Sequence, residues 1–357
     1  MASKRQANFE LLRIVAMLMI ITLHYLVKGN VAVPYAESQS AVNLVAWLLE
    51  AFCIVAVNCY VLLSGYFLVE SAWKPGRIVS LLAQILFYSI AIPAAMLCVG
   101  MISPTELSVY DWIGFILPIE TEHYWFATAY VLMYLFAPIL AAGVKSMERK
   151  TLQKVIITLL LFFSVGKTIF PVLLVTDHYG YDFGWFLCLF LIAAYLRLYG
   201  CEWLEKRKHG ILLYMGMSLC IFAAWLVASV LAQKVDAFAY YADMPYTYNH
   251  VFALLGAIGL FMVFKNIHLK EGKVTAIIRY LAPYTFGVYL LHEHILVRYE
   301  WSRWLQIERV RESWFFIPHM IVCVVVVYAM GTIVDFVRAY LFTWFKQAFT
   351  GRKTKQK

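Results

Sequence analysis

The feature that most constrains this chain is a series of apolar runs, each close to the length that a membrane-spanning helix needs. A helix crosses the hydrocarbon core of a bilayer with about 20 apolar residues. Ten runs approach that length, at residues 10–27, 41–63, 78–99, 125–142, 155–175, 183–199, 211–232, 249–265, 277–297 and 314–334. The sequence therefore predicts an all-α fold, a polytopic transmembrane helix bundle with about ten transmembrane helices.

The composition supports a chain that is solvated by lipid. Hydrophobic residues make up 63% of the sequence and charged residues 14%, whereas a soluble domain carries roughly 25% charged residues. A soluble chain of this length could not hide so much apolar surface from water. The formal net charge of +9 would suggest nucleic-acid binding in a soluble protein. Here the basic residues fall in short loops, so we expect no nucleic-acid partner.

The loop charges predict the orientation of the bundle. Cytoplasmic loops carry an excess of Lys and Arg. The loops after the second, fourth, sixth and eighth runs are basic, and so is the C-terminal end. Loop 100–124, on the opposite side, has acidic residues and no Lys or Arg. We therefore predict that both termini are cytoplasmic, with residues 351–357 as a basic cytoplasmic tail.

Two segments outside the runs mix aromatic and basic residues. Residues 298–313 contain four arginines interleaved with tryptophans, although the predicted topology puts them outside. This mixture is typical of a short amphipathic helix on the outer surface, and the alternative is a miscounted helix nearby. Residues 335–350 show the same mixture, which predicts a segment along the inner interface.

Ionisable side chains inside the runs are costly in lipid, so each is a candidate functional residue. Arg13 and His24 are eleven positions apart, which is three helical turns plus roughly 20°. They share one helix face, about 16 Å apart along the axis, with Met17 and Ile20 between them on that face. A neutral histidine accepts a proton near pH 7, and arginine binds phosphate or carboxylate. The pair suits a base at one depth and an anion anchor at another.

Three polar clusters beside later runs supply candidate substrate-binding residues. They are Asn58, Ser64 and Tyr66 on the second run, His123 and Trp125 at the start of the fourth, and Tyr289 and His292 on the ninth. The Ser64-Gly65 pair predicts a tight turn at a helix C-terminus. Steps of four and three put Thr285, Tyr289 and His292 on one helix face, so Glu293 and His294 should point elsewhere.

Common ligand motifs are missing from the sequence. It contains no HExxH motif and no other tight spacing of metal ligands, so we predict no metal. It also contains no GxGxxG and no GxxxxGK[ST] motif, so nucleotide hydrolysis is not expected.

Taken together, the motifs resemble the membrane acyltransferase-3 family, which comprises membrane-bound O-acyltransferases of cell-surface glycans. The resemblance covers nearly the whole chain. That family carries an arginine, ten residues and a histidine in its first helix, as Arg13 and His24 do here. The later matches are Asn58 with Ser64-Gly65-Tyr66-Phe67, His123-Tyr124-Trp125-Phe126, and Tyr289-Leu290-Leu291-His292.

The resemblance implies an acyltransferase of the bacterial cytoplasmic membrane, with residues 1–350 as a single transmembrane acyltransferase domain. Its donor would be acetyl-CoA or another cytoplasmic acyl-CoA, and its acceptor a hydroxyl of a cell-surface or lipid-linked glycan. In that chemistry His24 is the candidate base. Arg13, helped by Arg77, would bind an anionic part of CoA. Ser64 is either a nucleophile or, as we favour, part of a structural turn.

A second interpretation is a transporter or flippase of a small polar substrate or a lipid-linked sugar. Many helices with buried ionisable groups fit it, but such transporters commonly contain inverted repeats, and no internal repeat is visible here. The sequence predicts neither the acceptor sugar nor the oligomeric state.

Overall fold

The computed structural model describes residues 5–171 and 178–350, which form helices joined by short loops. In that part of the chain, α1 to α16 are Ala7–Lys28, Ala41–Cys53, Ala56–Leu68, Pro75–Cys98, Val109–Ile116, Trp125–Ser146, Arg149–Leu160, Gly166–Ile169, Phe183–Leu198, Arg207–Ala232, Ala239–Asp243, Val251–Lys265, Lys273–Leu281, Thr285–His292, Glu300–Trp304 and Phe316–Thr350. The predicted tail, residues 351–357, lies outside the described residues, as does the end of the run predicted at 155–175.

The predicted transmembrane bundle is confirmed. Among the described residues, nine helical segments are long and apolar enough to cross a membrane, and α9 is a shorter apolar helix. Each of the ten predicted runs falls on one of these segments. Large apolar side chains such as Val325 and Ile333 on α16 are exposed, as expected where a helix faces lipid. The protein is therefore a multi-pass membrane protein, and the orientation of its termini stays a prediction.

The first helix, α1, lies at the centre of the bundle. It packs against α2, α3, α12, α13, α14 and α16. Ile21 and Leu26 are completely buried, and the Tyr25 hydroxyl forms a hydrogen bond with His319 of α16 at 2.9 Å. A helix that packs against six others is a rigid base for a site, because its buried side chains cannot shift without moving several neighbours.

Small residues bring α10 and α12 close together. A Cβ atom on Gly259 would lie 2.7 Å from the backbone nitrogen of Tyr214 and 3.0 Å from the carbonyl oxygen of Gly210. In membranes, small residues at a helix crossing let the two backbones approach and pack. This contact fixes α12, which begins just after Tyr248.

A buried carboxylate joins α4 to α16. Asp335 is completely buried and accepts hydrogen bonds from Gln84 at 2.9 Å, Tyr88 at 3.0 Å and Arg338 at 2.6 Å. A buried charge is tolerated when it is paired in this way. The segment 335–350, predicted to lie along the inner interface, is part of α16, which continues to Thr350, and its depth in the membrane stays a prediction. Arg338 pairs with Asp335 one turn earlier, so this charge does not end the helix.

The Ser64-Gly65 pair does not form the predicted turn. Both residues lie inside α3, which continues to Leu68. A Cβ on Gly65 would lie 3.0 Å from the Cα atom of Phe190 on α9. The glycine therefore serves close packing between two helices, a use that a Ser-Gly pair does not reveal in the sequence.

The segment 298–313 is less helical than predicted. Its helix, α15, has five residues, and a 3₁₀ turn at Ile307–Arg309 follows. Trp301 is buried, whereas Trp304 is about half exposed. The tryptophan pattern thus marks one ring that packs into the bundle and one that faces outward.

Candidate active site

A small cavity lies beside His24, between α1, α3, α6 and α14. Its volume is about 30 Å³. The lining residues are mostly apolar or aromatic: Met17, Ile20, His24, Val57, Tyr60, Trp125, Phe126, Tyr248, Phe286 and Tyr289. The three residues from α1 are those that the 3–4 spacing placed on one face. The helix thus presents its polar residue and two apolar neighbours to the same space.

The hydrogen bonds of two histidines assign their tautomers. His292 Nδ1 lies 2.6 Å from the carbonyl oxygen of Val288, which only accepts, so this nitrogen carries a hydrogen. In the neutral ring, His292 Nε2 is then an acceptor. His24 Nδ1 lies 3.0 Å from that atom, so it must donate. Neutral His24 therefore has its lone pair on Nε2, which makes no hydrogen bond with any described residue.

A carboxylate also faces His24. Glu293 Oε1 lies 3.1 Å from His24 Nδ1 and forms an ion pair with Lys28. The prediction that Glu293 points elsewhere was wrong. It assumed that the helix continues, but α14 ends at His292, so helical spacing no longer sets the direction of the next side chain. His294 does point away from His24, toward His123.

His24, His292 and Glu293 also form a group that could hold a metal ion, since their ligand atoms lie within 4.8 Å of one another. The donor set of two imidazoles and a carboxylate suits zinc. However, Lys28 already neutralises the carboxylate, and the two histidines are hydrogen-bonded to each other. A cation would have to displace an ammonium group, so we describe the group as a hydrogen-bonded ion pair. The absence of a metal stays a prediction.

A comparison with family profiles matches residues 6–335 to the family described as "Acyltransferase domain", acyltransferase-3. The chain belongs to the acyltransferase-3 family. The match covers nearly the whole chain and agrees with the resemblance of its motifs, so the protein is a membrane acyltransferase. Comparisons with curated proteins and with solved structures gave no match.

Of the motif residues predicted for this acyltransferase, Asn58 lies behind the cavity wall. It is completely buried. Its Oδ1 accepts a hydrogen bond from Trp185 Nε1 at 3.0 Å, and its Nδ2 donates to the carbonyl oxygen of Tyr248 at 2.7 Å. Tyr248 in turn lines the cavity. Asn58 therefore holds one wall in place, and its assignment to substrate binding stays a prediction.

Ser64 and Tyr66 do not line the cavity. The Ser64 hydroxyl donates to the carbonyl oxygen of Tyr60 at 2.9 Å, one turn earlier in α3. The Tyr66 ring lies under the guanidinium of Arg197, 4.9 Å from its centroid. Both contacts are structural, which favours a structural role for Ser64 over that of a nucleophile.

Arg13 and Arg77, the two arginines predicted to bind CoA, lie in different surroundings. Arg13 Nη1 donates to the Glu10 carboxylate at 2.9 Å, and the carbonyl oxygen of Arg13 accepts a hydrogen bond from the Tyr60 hydroxyl at 2.6 Å. Tyr60 thus connects the backbone at Arg13 to the cavity. Arg77 is exposed at the start of α4, where it donates to the Ser71 hydroxyl.

A second histidine pair lies next to the first. The rings of His123 and His294 are 4.5 Å apart. Both residues are buried, and neither ring nitrogen of His123 has a partner among the described residues. Burial, and then the cation of Arg298, lower the pKa of His123 to about 4, with Asp111 opposing. Burial and His123 lower the pKa of His294 to about 3.

We predict that this pair makes the protein less stable in acid. In the unfolded chain His123 takes up a proton near pH 6.5, whereas in the folded protein it stays neutral down to about pH 4 because its pKa is lowered. Lowering the pH through that window therefore destabilises the folded protein. The loss from His123 alone should be about 2 kcal/mol at pH 5. Thermal unfolding in detergent between pH 7 and pH 5 measures it. His123→Phe should flatten the slope, and His178→Gln, an exposed control, should not. An equal slope in His123→Phe would contradict the assignment.

Lys28, Tyr60 and Tyr248 are among the residues around His24 that were not predicted as site residues. Lys28 is four positions after His24 on the same face of α1, so helical spacing was a signal that could have found it. Tyr60 and Tyr248 carry no such signal. Tyr60 is an aromatic residue in an apolar run, and Tyr248 lies in the loop just before α12. Only the packing of α3 and α12 around α1 brings them to the cavity.

Proposed function

We propose that this acyltransferase moves an acetyl group from cytoplasmic acetyl-CoA to a hydroxyl of a cell-surface or lipid-linked carbohydrate, with His24 as the base. One observation carries the proposal. Nδ1 of His24 is engaged by His292 and Glu293, so Nε2 is left as a proton acceptor on a residue that lines the cavity. Acyl transfer to a hydroxyl needs a base of this kind.

The proposed step balances with the groups present. The acceptor oxygen attacks the thioester carbonyl carbon while His24 Nε2 takes the hydroxyl proton. The C–O bond of the ester forms, the C–S bond breaks, and the proton passes from Nε2 to the departing CoA thiolate. The transient imidazolium is stabilised by Glu293, 3.1 Å from Nδ1, as a carboxylate does in a catalytic triad. No covalent enzyme intermediate is required.

The donor is proposed to enter from the N-terminal end of α1, which the loop charges predict to be cytoplasmic. A cleft of about 420 Å³ at that end is lined by Arg5, Lys265 and Arg279 among others. Cationic side chains suit the phosphates of CoA. Arg13 lies farther along α1 toward the cavity, and a phosphate there would share its guanidinium with Glu10.

The acceptor is proposed to bind beside an aromatic cluster next to the cavity. The Trp125 ring stacks on Tyr248 at 5.6 Å, and Tyr181 lies 4.6 Å from Trp125. Tyr181 is 42% exposed. Sugar rings pack their C–H faces on aromatic rings of this kind, so the cluster would orient a hydroxyl toward His24. This supports a carbohydrate acceptor.

The test uses purified protein in detergent with acetyl-CoA and a surface-glycan extract. We expect CoA release that depends on the glycan, together with ester-linked acetyl groups on the glycan by mass spectrometry. Uptake of the glycan into liposomes with no consumption of acetyl-CoA would instead favour the transporter interpretation and contradict the proposal.

Glu293→Gln should lower kcat about 100-fold with little change in KM for acetyl-CoA. The amide keeps the shape of the side chain but cannot stabilise an imidazolium. A positioning role predicts that Glu293→Asp restores part of kcat. The measurement is the rate of CoA release at saturating acetyl-CoA. An unchanged kcat in Glu293→Gln, with normal expression, would remove Glu293 from the mechanism.

A further inference from the structure

We infer that the cavity beside His24 is an acyl pocket whose size restricts transfer to two-carbon acyl groups, an inference that rests on the proposed function. Ile20 and Phe286 are the residues that would set this limit.

The size of the cavity suits a very short acyl group. Its volume is about 30 Å³, well below the roughly 300–1,000 Å³ of typical small-molecule pockets. The space therefore suits a group of only a few heavy atoms, such as an acetyl group. Because protein interiors are close-packed, each further methylene directed toward Ile20 and Phe286 would have to displace a side chain of the wall.

The lining favours an acyl chain over a sugar. Phe286 stacks on Tyr289 at 6.0 Å, and Phe126 meets Tyr289 edge-on at 5.5 Å. Tyr60 donates its hydroxyl to the carbonyl oxygen of Arg13, so its ring is what it presents to the cavity. A sugar would bring several hydroxyl groups that need hydrogen-bond partners, and burial without them is costly. A methyl group needs none.

The position of the cavity agrees with this occupant. Met17 and Ile20 lie on α1 between Arg13 and His24, and both line the cavity. A thioester whose CoA part is bound toward Arg13 would reach His24 with its acyl group against these two side chains. The acceptor hydroxyl would then approach the carbonyl carbon from the side of Trp125.

The test is a chain-length series with acetyl-, butyryl- and hexanoyl-CoA, measured as glycan-dependent CoA release. The unchanged protein should prefer acetyl-CoA. Phe286→Ala should raise the ratio of butyryl to acetyl kcat/KM at least 10-fold, because it removes a ring from the wall. Phe162→Ala is the matched control, since Phe162 is 63% exposed, and it should leave the ratio unchanged.

A second variant keeps the test informative if Phe286→Ala fails to fold. Ile20→Ala enlarges the same cavity by fewer atoms and should raise the ratio in the same direction. If both variants retain acetyl transfer and neither changes the ratio, the inference is wrong while the proposed function stands. A change in acceptor preference without a change in chain-length preference would assign the cavity to the acceptor and would also contradict the inference. If the unchanged protein consumes no acyl-CoA, the proposed function fails and the inference fails with it.

Discussion

Replacement of His24 by alanine should lower acyl transfer by about 10²- to 10⁴-fold, the contribution of a well-placed general base. The ring is the polar group that joins the cavity to the His292 and Glu293 pair. Without it, no other described side chain at the cavity presents a free imidazole lone pair. The measurement is kcat/KM for acetyl-CoA, with ester-linked acetyl groups on surface glycan as the readout in cells.

The control for this variant is His209→Ala. His209 lies at the N-terminal end of α10, stacked on Trp203, and should leave activity unchanged. Expression and membrane insertion of His24→Ala should match those of the control, because His24 is partly exposed to the cavity and fills no closed core position. Undiminished glycan acetylation in a strain that carries His24→Ala would rule out His24 as the base.

Replacement of Gly287 by alanine should destabilise the protein by about 2 kcal/mol or more, at the upper part of the range for overpacked cores. A Cβ atom at this position would overlap the carboxyl group of Asp335. That carboxyl cannot move freely, because Gln84, Tyr88 and Arg338 all donate to it. The methyl group must therefore push α14 away from α16 or break a buried ionic network.

The thermal unfolding temperature in detergent measures this effect. Gly216→Ala is the matched control, since nothing lies within 4 Å of a Cβ at Gly216 on α10. Alanine has the higher helix propensity, so that variant should be neutral or slightly stabilised. Gly287→Ala should also lose activity, because α14 carries Tyr289 and His292. Equal unfolding temperatures for the two variants would show that α14 and α16 are less closely packed than the structure has them.

The sequence predicted the part of the site that lies on α1, because those residues belong to one short segment of the chain. Arg13, Met17, Ile20 and His24 lie on one helix, and helical geometry alone puts them on one face. The structure keeps this arrangement, and Met17, Ile20 and His24 form one wall of the cavity. Tyr289 and His292 were likewise placed together by their spacing on α14.

The predictions that failed depended on where helices end. Glu293 was assigned to the wrong direction because α14 stops at His292, and Ser64 was assigned to a turn because α3 was expected to stop near it. Helix ends in an apolar chain are poorly marked by sequence. They depend on neighbouring helices, such as α9 against Gly65, that the local sequence does not reveal.

The sequence by itself determined that this protein is a membrane helix bundle and that His24 shares a helix face with Arg13. Both follow from apolar length and helical periodicity, which are properties of single segments. Only the tertiary structure decided which groups face His24. His292 is 268 residues away in the chain, and its bond to Val288 assigns the hydrogen on His24 to Nδ1. The free lone pair on Nε2, and with it the proposed role of His24 as a base, thus depends on helix packing that no single segment encodes.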